Sequence, residues 1–435
     1  MFIKLISPRS PVKFVSKREK AINFSRLTLT TIAALFPKED KIEIINDSIE
    51  EINYNEKVDL VGITSITSTA PRAYEIADKF RKKGVPVIIG GIHPSTLPEE
   101  AIKHADSVVI GEAEGQIENL IRDFKRGKLK KFYHSKKKPD LTKIHPPRID
   151  LYENKNKYYD EIQMIQTTRG CPFNCDFCSV TNFFGETHRV KPIPIVIQEI
   201  KRFKRHTLIF FVDDNIIGNL NYAKELFKAL IPLNIKWFGQ ASITIAKNKE
   251  LLNLAAKSGC LSLFIGFESV SPSSLKEVGK NINIVENYKE SIKIIHDYGI
   301  GIIGAFIFGF DSDKKNVFEE TVSFIERTQI ELPSLSILTP LPGTRLYKKF
   351  EKEKRIIDYN WEKYTNGETV FIPKLMKKEE LQEGYLWARK QLSSLNSIFK
   401  RTFHLRKIAI LYIPINLIMR KASLATLKNI EKKSK

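Results

Sequence analysis

From Phe2 to Tyr347 short apolar runs alternate with amphipathic segments of helical spacing, and that alternation leaves few folds open. In the first third, "FIKLIS", "KIEIIND", "DLVGITSI", "VPVIIGG" and "DSVVIGE" are apolar without a polar face, as strands buried on both sides are. "LTLTTIAALFP" and "APRAYEIADKFRKKG" between them have helical spacing, the second closing on Gly84. Five strands with intervening helices predict a doubly wound, Rossmann-like parallel sheet over residues 1–130. Ligands of such sheets sit beyond the carboxyl ends of the strands. Here those ends are the turns "TSITSTA", "GGIHPS" and "GEAEG", which nominate Thr64, Ser65, Gly90, Gly91, Gly111 and Glu112. No G-x-G-x-x-G follows the first strand, against a dinucleotide. His93 reads as a hydrogen-bonding turn residue rather than a metal ligand.

Residues 131–160 carry a basic run and paired prolines and read as a linker. The alternation then resumes. "EIQMIQTT", "LIFFVDDN", "IKWFGQAS", "LSLFIGFES", "IGIIGAFIFGFD" and "LSILTPLPGT" make six strand–helix units over residues 161–350, as in a partial (β/α)6 TIM-like barrel. Polar residues gather at the carboxyl ends: Asp213, Asp214, Asn215, Gln240, Ser242, Glu268, Ser269, Asp311 and Thr339. That convergence favours a ligand site over structural polarity. Residues 351–435 read as a helical, basic-amphipathic extension, its first part placed over the barrel mouth and its tail either packed on the barrel or laid on an anionic membrane.

"TTRGCPFNCDFCSV", Thr167–Val180, holds three of the chain's four cysteines, spaced Cys171-x3-Cys175-x2-Cys178. A closed zinc site needs four ligands, and the remaining Cys260 reads as a buried small residue. Three thiolates on one loop suit an iron–sulfur cluster with one iron open to a substrate, Gly170 and Pro172 shaping the turn. Four cysteines in 435 residues cannot staple the fold, so a reducing compartment is expected. The longest apolar stretch, Ile408–Met419, is too short to span a bilayer. Lys+Arg 71 against Asp+Glu 50 leaves +21, an attraction to anionic partners or simply a surface of solvated lysines.

C-x3-C-x2-C with Phe177 before the last cysteine resembles the signature of the radical S-adenosylmethionine (SAM) enzymes. The domain order and "GGIHPSTLPEEAIKHADSVVIGEAEG" are similar to the cobalamin-binding members of that family. "CSVTNFFGETHRVKP" and "FFVDDNIIGN" resemble the subgroup that includes hopanoid methylases. The resemblance covers nearly the whole chain. It implies a [4Fe-4S] cluster on Cys171, Cys175 and Cys178, whose open iron binds SAM, and cobalamin in the N-terminal domain. It places Asp213 and Asp214 at the methionine ammonium, although "VDDN" stands where the family has Gly-Gly-Glu. Glu268 and Ser269 fall at the ribose or carboxylate, and Phe177 and Gly304 beside the adenine, with Gln240 among the cofactor contacts. No Asp-x-His-x-x-Gly occurs, so no histidine is offered to cobalt.

The chemistry so implied is reductive cleavage of SAM, hydrogen abstraction from an unactivated carbon, and methyl transfer from cobalamin to a small-molecule or lipid substrate. A ferredoxin- or flavodoxin-type protein would supply electrons. The expected location is the cytoplasm, with or without peripheral contact at the inner membrane face. Rival expectations are a non-methylating radical reaction, an RNA-modifying radical enzyme, and a non-catalytic iron–sulfur or zinc protein. Against RNA, the basic residues are spread along the chain without an RNA-binding motif.

Overall fold

The computed structural model describes residues 1–12, 26–135, 137–152, 155, 161–403 and 409–433. Strands β1 (Phe2–Ser7), β2 (Lys41–Asn46), β3 (Leu60–Thr64), β4 (Val87–Gly90), β5 (Ser107–Ile110) and β6 (Phe132–His134) form one parallel sheet, ordered β2-β1-β3-β4-β5-β6. The doubly wound reading rests on alternation, and the side chains obey it. Ile3, Leu5, Leu60, Ile88 and Val109 pack on one face with Leu29 and Ala33 of the helix Arg26–Ala33. Ile6, Val61, Ile63, Ile89 and Val108 pack on the other with Ile76, Ala77 and Phe80 of the helix Ala70–Arg81. The strand order reverses at β1, where the carboxyl ends of β1 and β3 open a crevice.

The sheet has a sixth strand that the sequence did not announce. β6 lies in the segment expected to be linker, and three residues between lysines are too few to show a period. Tyr133 carries the strand into the fold: it is buried, and its hydroxyl donates to Asp123 at 2.9 Å. Lysines on both sides suit an edge strand, whose free backbone groups would otherwise invite pairing.

The second sheet is also all parallel. β7 (Ile162–Ile165) is followed by a small antiparallel hairpin, β8 (Thr168–Arg169) and β9 (Arg189–Val190). Then come β10 (Leu208–Phe211), β11 (Lys236–Ala241), β12 (Cys260–Glu268), β13 (Gly301–Phe308) and β14 (Leu332–Ile337), in the order β14-β13-β12-β11-β10-β7. The outer strands β7 and β14 do not pair, so six strands make a barrel that is open on one side. Along β13 every second residue is buried against the helices, while Ile303, Ala305 and Ile307 face the less covered interior.

The C-terminal region divides: its first part lies at the carboxyl end of β14, where the Asn366 carbonyl accepts from the Ile337 amide at 2.8 Å and Trp361 donates to Glu100 of the N-terminal domain at 3.0 Å, and its later helices lie elsewhere. The helix Lys378–Leu392 packs beside β14 and the helix Val317–Arg327, with Leu381 against Gly309 and Phe318 against Gly384. The tail helix Ala409–Lys433 lies at the opposite, amino-terminal end: the Tyr412 hydroxyl donates to the Leu261 carbonyl at 3.0 Å and the Asn416 amide to that of Glu331 at 3.1 Å. Among the described residues no helix is long and apolar enough to cross a membrane.

Candidate functional site

Thr168 and Arg169 pair with Val190 and Arg189, so the chain from Gly170 to His188 leaves and returns at one place. That loop carries all three clustered cysteines. Gly170 opens it at φ +88°, where a Cβ would collide with the Thr187 carbonyl oxygen; only glycine lets the two arms approach. The loop is pinned on two further sides. Asp176 donates its N–H to the Val278 carbonyl at 3.1 Å, and its own carbonyl accepts from Leu346 at 3.0 Å.

Burial pushes all three thiols up, Cys175 to about 11. The Phe173 amide facing Cys171 and the Val180 and Thr181 amides facing Cys178 pull the other way. Such thiols become thiolates when a positive centre arrives, and the amides already point at the sulfurs it would charge. Among the described residues, no three His, Cys, Asp or Glu side chains converge as a single ion requires. A cluster binds each thiolate through a different iron and needs no such convergence. Cys260 lies at the far end: it begins β12, fully buried, with its thiol on the Ser262 carbonyl at 3.7 Å.

The two aspartates after β10 do different work. Asp213 is buried and its Oδ1 accepts from the amide and hydroxyl of both Thr167 and Thr168, with 2.8 and 3.0 Å to Thr167. It therefore ties β10 to the start of the cysteine hairpin instead of standing open to an ammonium, although its Oδ2 has no partner. Asp214 also keeps a buried, unpartnered Oδ2, and burial next to Asp213 pushes it up to about 6. A carboxylate so placed gains from any cation brought beside it.

Glu268 ends β12 at φ +65°, after a register shift between Gly266 and Glu268. A non-glycine residue there costs about 1–2 kcal/mol, and such strain gathers at functional sites. Its Oε1 lies 3.0 Å from Lys280 Nζ. Burial alone would lower Lys280; Glu268 and then Cys175 hold it above its ordinary value. Ser269 is buried behind Glu268, its hydroxyl accepting from the Ser271 amide at 3.1 Å. Gln240 sits on the inner face of β11, and its carbonyl takes the Ile216 amide at 2.9 Å. Phe177 is half-buried against the barrel core. Gly304 departs from its expected place beside an adenine. It lies mid-strand on the helix side of β13, where a Cβ would sit 2.9 Å from Ile330 Cγ2, so it serves packing.

A cavity of about 380 Å³ opens between the two sheets, within the range of about 300–1,000 Å³ usual for small-molecule sites. Thr64, Ser65, Gly90, Gly91, Gly111 and Glu112 line it from the N-terminal domain, as the strand-end argument predicts. Met164, Gln166, Arg169, Phe183, Phe184 and Val212 line it from the barrel side. Gly91, at φ +111°, brings the turn after β4 against Ser65, where a Cβ would lie 2.5 Å from the carbonyl oxygen. The cavity continues as an apolar slot between the sheet and the helix Arg26–Ala33. Gly62 lines that slot, and a Cβ there would press on Leu5 Cδ2 at 2.8 Å.

Two N-terminal residues take other roles. Glu112 has both carboxylate oxygens engaged by Arg169 and Arg189, so it reaches the cavity wall as half of an ion pair. His93 stays out of the cavity lining: it is buried with Nε2 on Glu100 at 3.2 Å, and Trp361 donates to the same carboxylate at 3.0 Å. Sequence reasoning missed Lys280, Arg169, Arg189, Phe183 and Phe184. Arg169 had a signal, standing directly before Gly-Cys; Lys280, on the turn after the helix Pro272–Glu277, had none.

Three thiols, one buried and two half-buried, at the carboxyl end of a partial barrel, on a hairpin whose Arg169, Phe183 and Phe184 line a ligand-sized crevice in a doubly wound sheet, point to a cluster-bearing enzyme with a second cofactor domain. Comparison with known proteins agrees. Residues 165–325 match the Radical SAM superfamily, residues 32–121 the B12 binding domain, and residues 344–426 a domain of unknown function. Bacteriochlorophyllide d C-12(1)-methyltransferase of Chlorobaculum tepidum is 35% identical over 350 residues, 79% of this chain and 76% of the relative. Bacteriochlorophyllide d C-8(2)-methyltransferase of the same organism is 32% identical over 420 residues, 93% and 91%. Hopanoid C-2 methylase of Rhodopseudomonas palustris is 27% identical over 344 residues, 76% and 64%. The fold matches that of the radical S-adenosylmethionine methyltransferase TsrM from Kitasatospora setae, solved with cobalamin and a [4Fe-4S] cluster, at a TM-score of 0.68 and 15% identity over 98% of this chain and 99% of that one. The chain belongs to the cobalamin-binding radical SAM enzymes, whose cofactors are a [4Fe-4S] cluster, SAM and cobalamin.

Proposed function

We propose that the protein methylates an unactivated carbon of an apolar small molecule, with SAM beside the cysteine loop and cobalamin in the cavity between the sheets. The observation that carries this is the shared wall: Arg169, Phe183 and Phe184 belong to the cysteine hairpin and also line the cavity that Thr64, Ser65, Gly90, Gly91 and Gly111 close from the other side. When bound, the reduced cluster supplies the electron that cleaves SAM, and cobalamin supplies the methyl group.

The chain's own residues bind and orient. Cys171, Cys175 and Cys178 would hold three irons, leaving the fourth open to SAM. Asp214 Oδ2 would accept from the SAM ammonium, and Lys280, held by Glu268, would meet its carboxylate. Gln240 and Ser269 would meet the ribose, and Phe177 would cover the adenine. The slot at Gly62 would take the nucleotide tail of cobalamin. No histidine among the described residues lines the cavity.

Relatives named for bacteriochlorophyllide d and for a hopanoid act on large apolar ring systems, which supports a substrate of that class. Electrons come from an acidic ferredoxin- or flavodoxin-type protein on the basic helix Arg345–Lys352, whose Arg345 reaches Asp176 of the cysteine loop at 2.6 Å. Replacing exposed Lys348 and Lys352 by glutamate should slow turnover with the protein donor and not with dithionite. Peripheral contact with an anionic membrane falls to the tail, where exposed Phe399, Phe403, Leu417, Ile418 and Met419 stand among basic residues; vesicle co-sedimentation tests it. The reaction itself is tested with SAM labelled in its methyl group, incubated anaerobically with an apolar cell extract. Label should enter an extractable product. Deoxyadenosine formation without labelled product would contradict methylation.

A further inference from the structure

The turn after β5 and the cysteine hairpin meet in a buried group of charges. Arg169 donates from one guanidinium nitrogen to Glu112 Oε2 at 2.6 Å and from another to Glu114 Oε1 at 2.7 Å. Arg189 donates to Glu112 Oε1 at 2.7 Å and to its Oε2 at 3.2 Å. The Glu112 side chain is 3% exposed and that of Arg169 9%. Each arginine is also oriented on its own side. Arg169 Nε donates to Gln166 at 2.8 Å, and Arg189 donates to the Pro139 carbonyl at 3.0 Å.

The register makes this more than a salt bridge. Arg169 and Arg189 are direct cross-strand partners on β8 and β9. Like charges opposite one another destabilise a strand pair. Glu112, arriving from the other domain, lies between them and satisfies both. With the N-terminal domain seated, Glu112 offsets the repulsion between the two arginines and fixes where the hairpin lies against that domain. Buried ion pairs are weak evidence for stability, since desolvation offsets their attraction; fixing geometry is the better-attested use, and two rigid guanidinium forks on one carboxylate suit it.

Both ends of the contact lead to a cofactor. Glu112 follows Gly111 on the cavity wall, and Arg169 stands two residues before Cys171. We infer that Arg169, Arg189 and Glu112 form a clasp that sets the cobalamin cavity against the SAM site, and that these are positioning residues for methyl transfer between the two cofactors. The inference rests on the proposal that cobalamin occupies the cavity.

The test uses two reactions of the reconstituted protein, neither needing the substrate. With titanium(III) citrate, cob(I)alamin attacks the SAM methyl, giving methylcobalamin and S-adenosylhomocysteine; this needs both sites aligned. Reductive cleavage of SAM to deoxyadenosine and methionine needs the barrel alone. In R189Q methylcobalamin formation should fall roughly tenfold or more, the scale on which an ångström of misplacement slows a step, with iron content and deoxyadenosine formation within about twofold of wild type. R189K, which keeps the charge and loses the fork, should lie between. Without any cofactor, amide hydrogen exchange should quicken in both 111–115 and 168–190 in R189Q. Adding E112Q to R189Q should cost little more than either change alone. Equal loss of both reactions, no loss of either, or multiplying effects in the double variant would overturn the clasp. Failure of the wild type to form methylcobalamin would instead overturn the placement of cobalamin.

Discussion

The two parallel sheets present their carboxyl ends to one crevice with opposite chemistry. The N-terminal sheet ends in Thr64, Ser65, Gly90, Gly91 and Gly111, small residues that bring backbone close to a ligand. The barrel ends in thiols and buried charges: three cysteines, Asp214, and Glu268 with Lys280. A large, mostly neutral macrocycle is accommodated by removing side chains. A small zwitterion and a metal cluster are held by adding charged ones. The contrast explains why the first domain's contacts include two glycines at positive φ, Gly91 and Gly111, and the second's include a glutamate forced into the same region.

The sharpest break is on the charged side. Replacing Cys171, Cys175 and Cys178 by alanine should reduce iron content and deoxyadenosine formation to background; reductive SAM cleavage surviving in that variant would sink the cluster assignment. On the small-residue side, Gly62→Val should press on Leu5 and fill the apolar slot. Overpacking of that kind costs about 1–3 kcal/mol, so cobalamin retained through gel filtration should drop roughly tenfold while iron stays at the wild-type level. Equal loss of iron would mean the slot is merely core.

A third pair separates ligand charge from structural charge. Asp214→Asn should weaken SAM binding about tenfold, as expected for one hydrogen bond between charged groups, with the melting temperature unchanged. Asp213→Ala strands buried donors on Thr167 and Thr168, and should cost about 2–4 kcal/mol in stability. Reversed effects would exchange the two roles. The effect confined to the narrowest pH window lies at Asp313, which burial raises from 3.8 to about 6 although Ser274 and the Gly309 and Phe310 amides oppose it. The folded state holds this proton more tightly than the unfolded chain. Its contribution is therefore full below 3.8 and lost as pH rises towards about 6. Asp313→Asn should remove that step, at most about 3 kcal/mol, from the pH dependence of thermal unfolding.

Much of this was legible because period and punctuation survive in a single chain. Five of the six barrel strands appear where apolar runs announced them, while β14 begins at Leu332, three residues ahead of "LSILTPLPGT", and ends at Ile337; the glycine-rich turns do line the crevice. The cysteine spacing needed no third dimension. Pairing across domains did: nothing in "GEAEG" says that Glu112 faces two arginines far along the chain, and Glu112 alone looks like a ligand contact. Gly304 misled for a related reason, because a strand's two faces are told apart only once its helices are placed, and this glycine faces Ile330. β6 was hidden by its shortness, and Lys280 by lying on a turn with no pattern of its own.

One chain is expected to hold a cluster and cobalamin on the two sides of a single crevice. Anaerobic reconstitution with iron, sulfide and cobalamin, followed by metal counting after gel filtration, tests it most directly. About four irons and about one cobalt per chain are expected, with the iron lost from the triple-cysteine variant and the cobalt from Gly62→Val. Iron without cobalt, or zinc in place of iron, would contradict it.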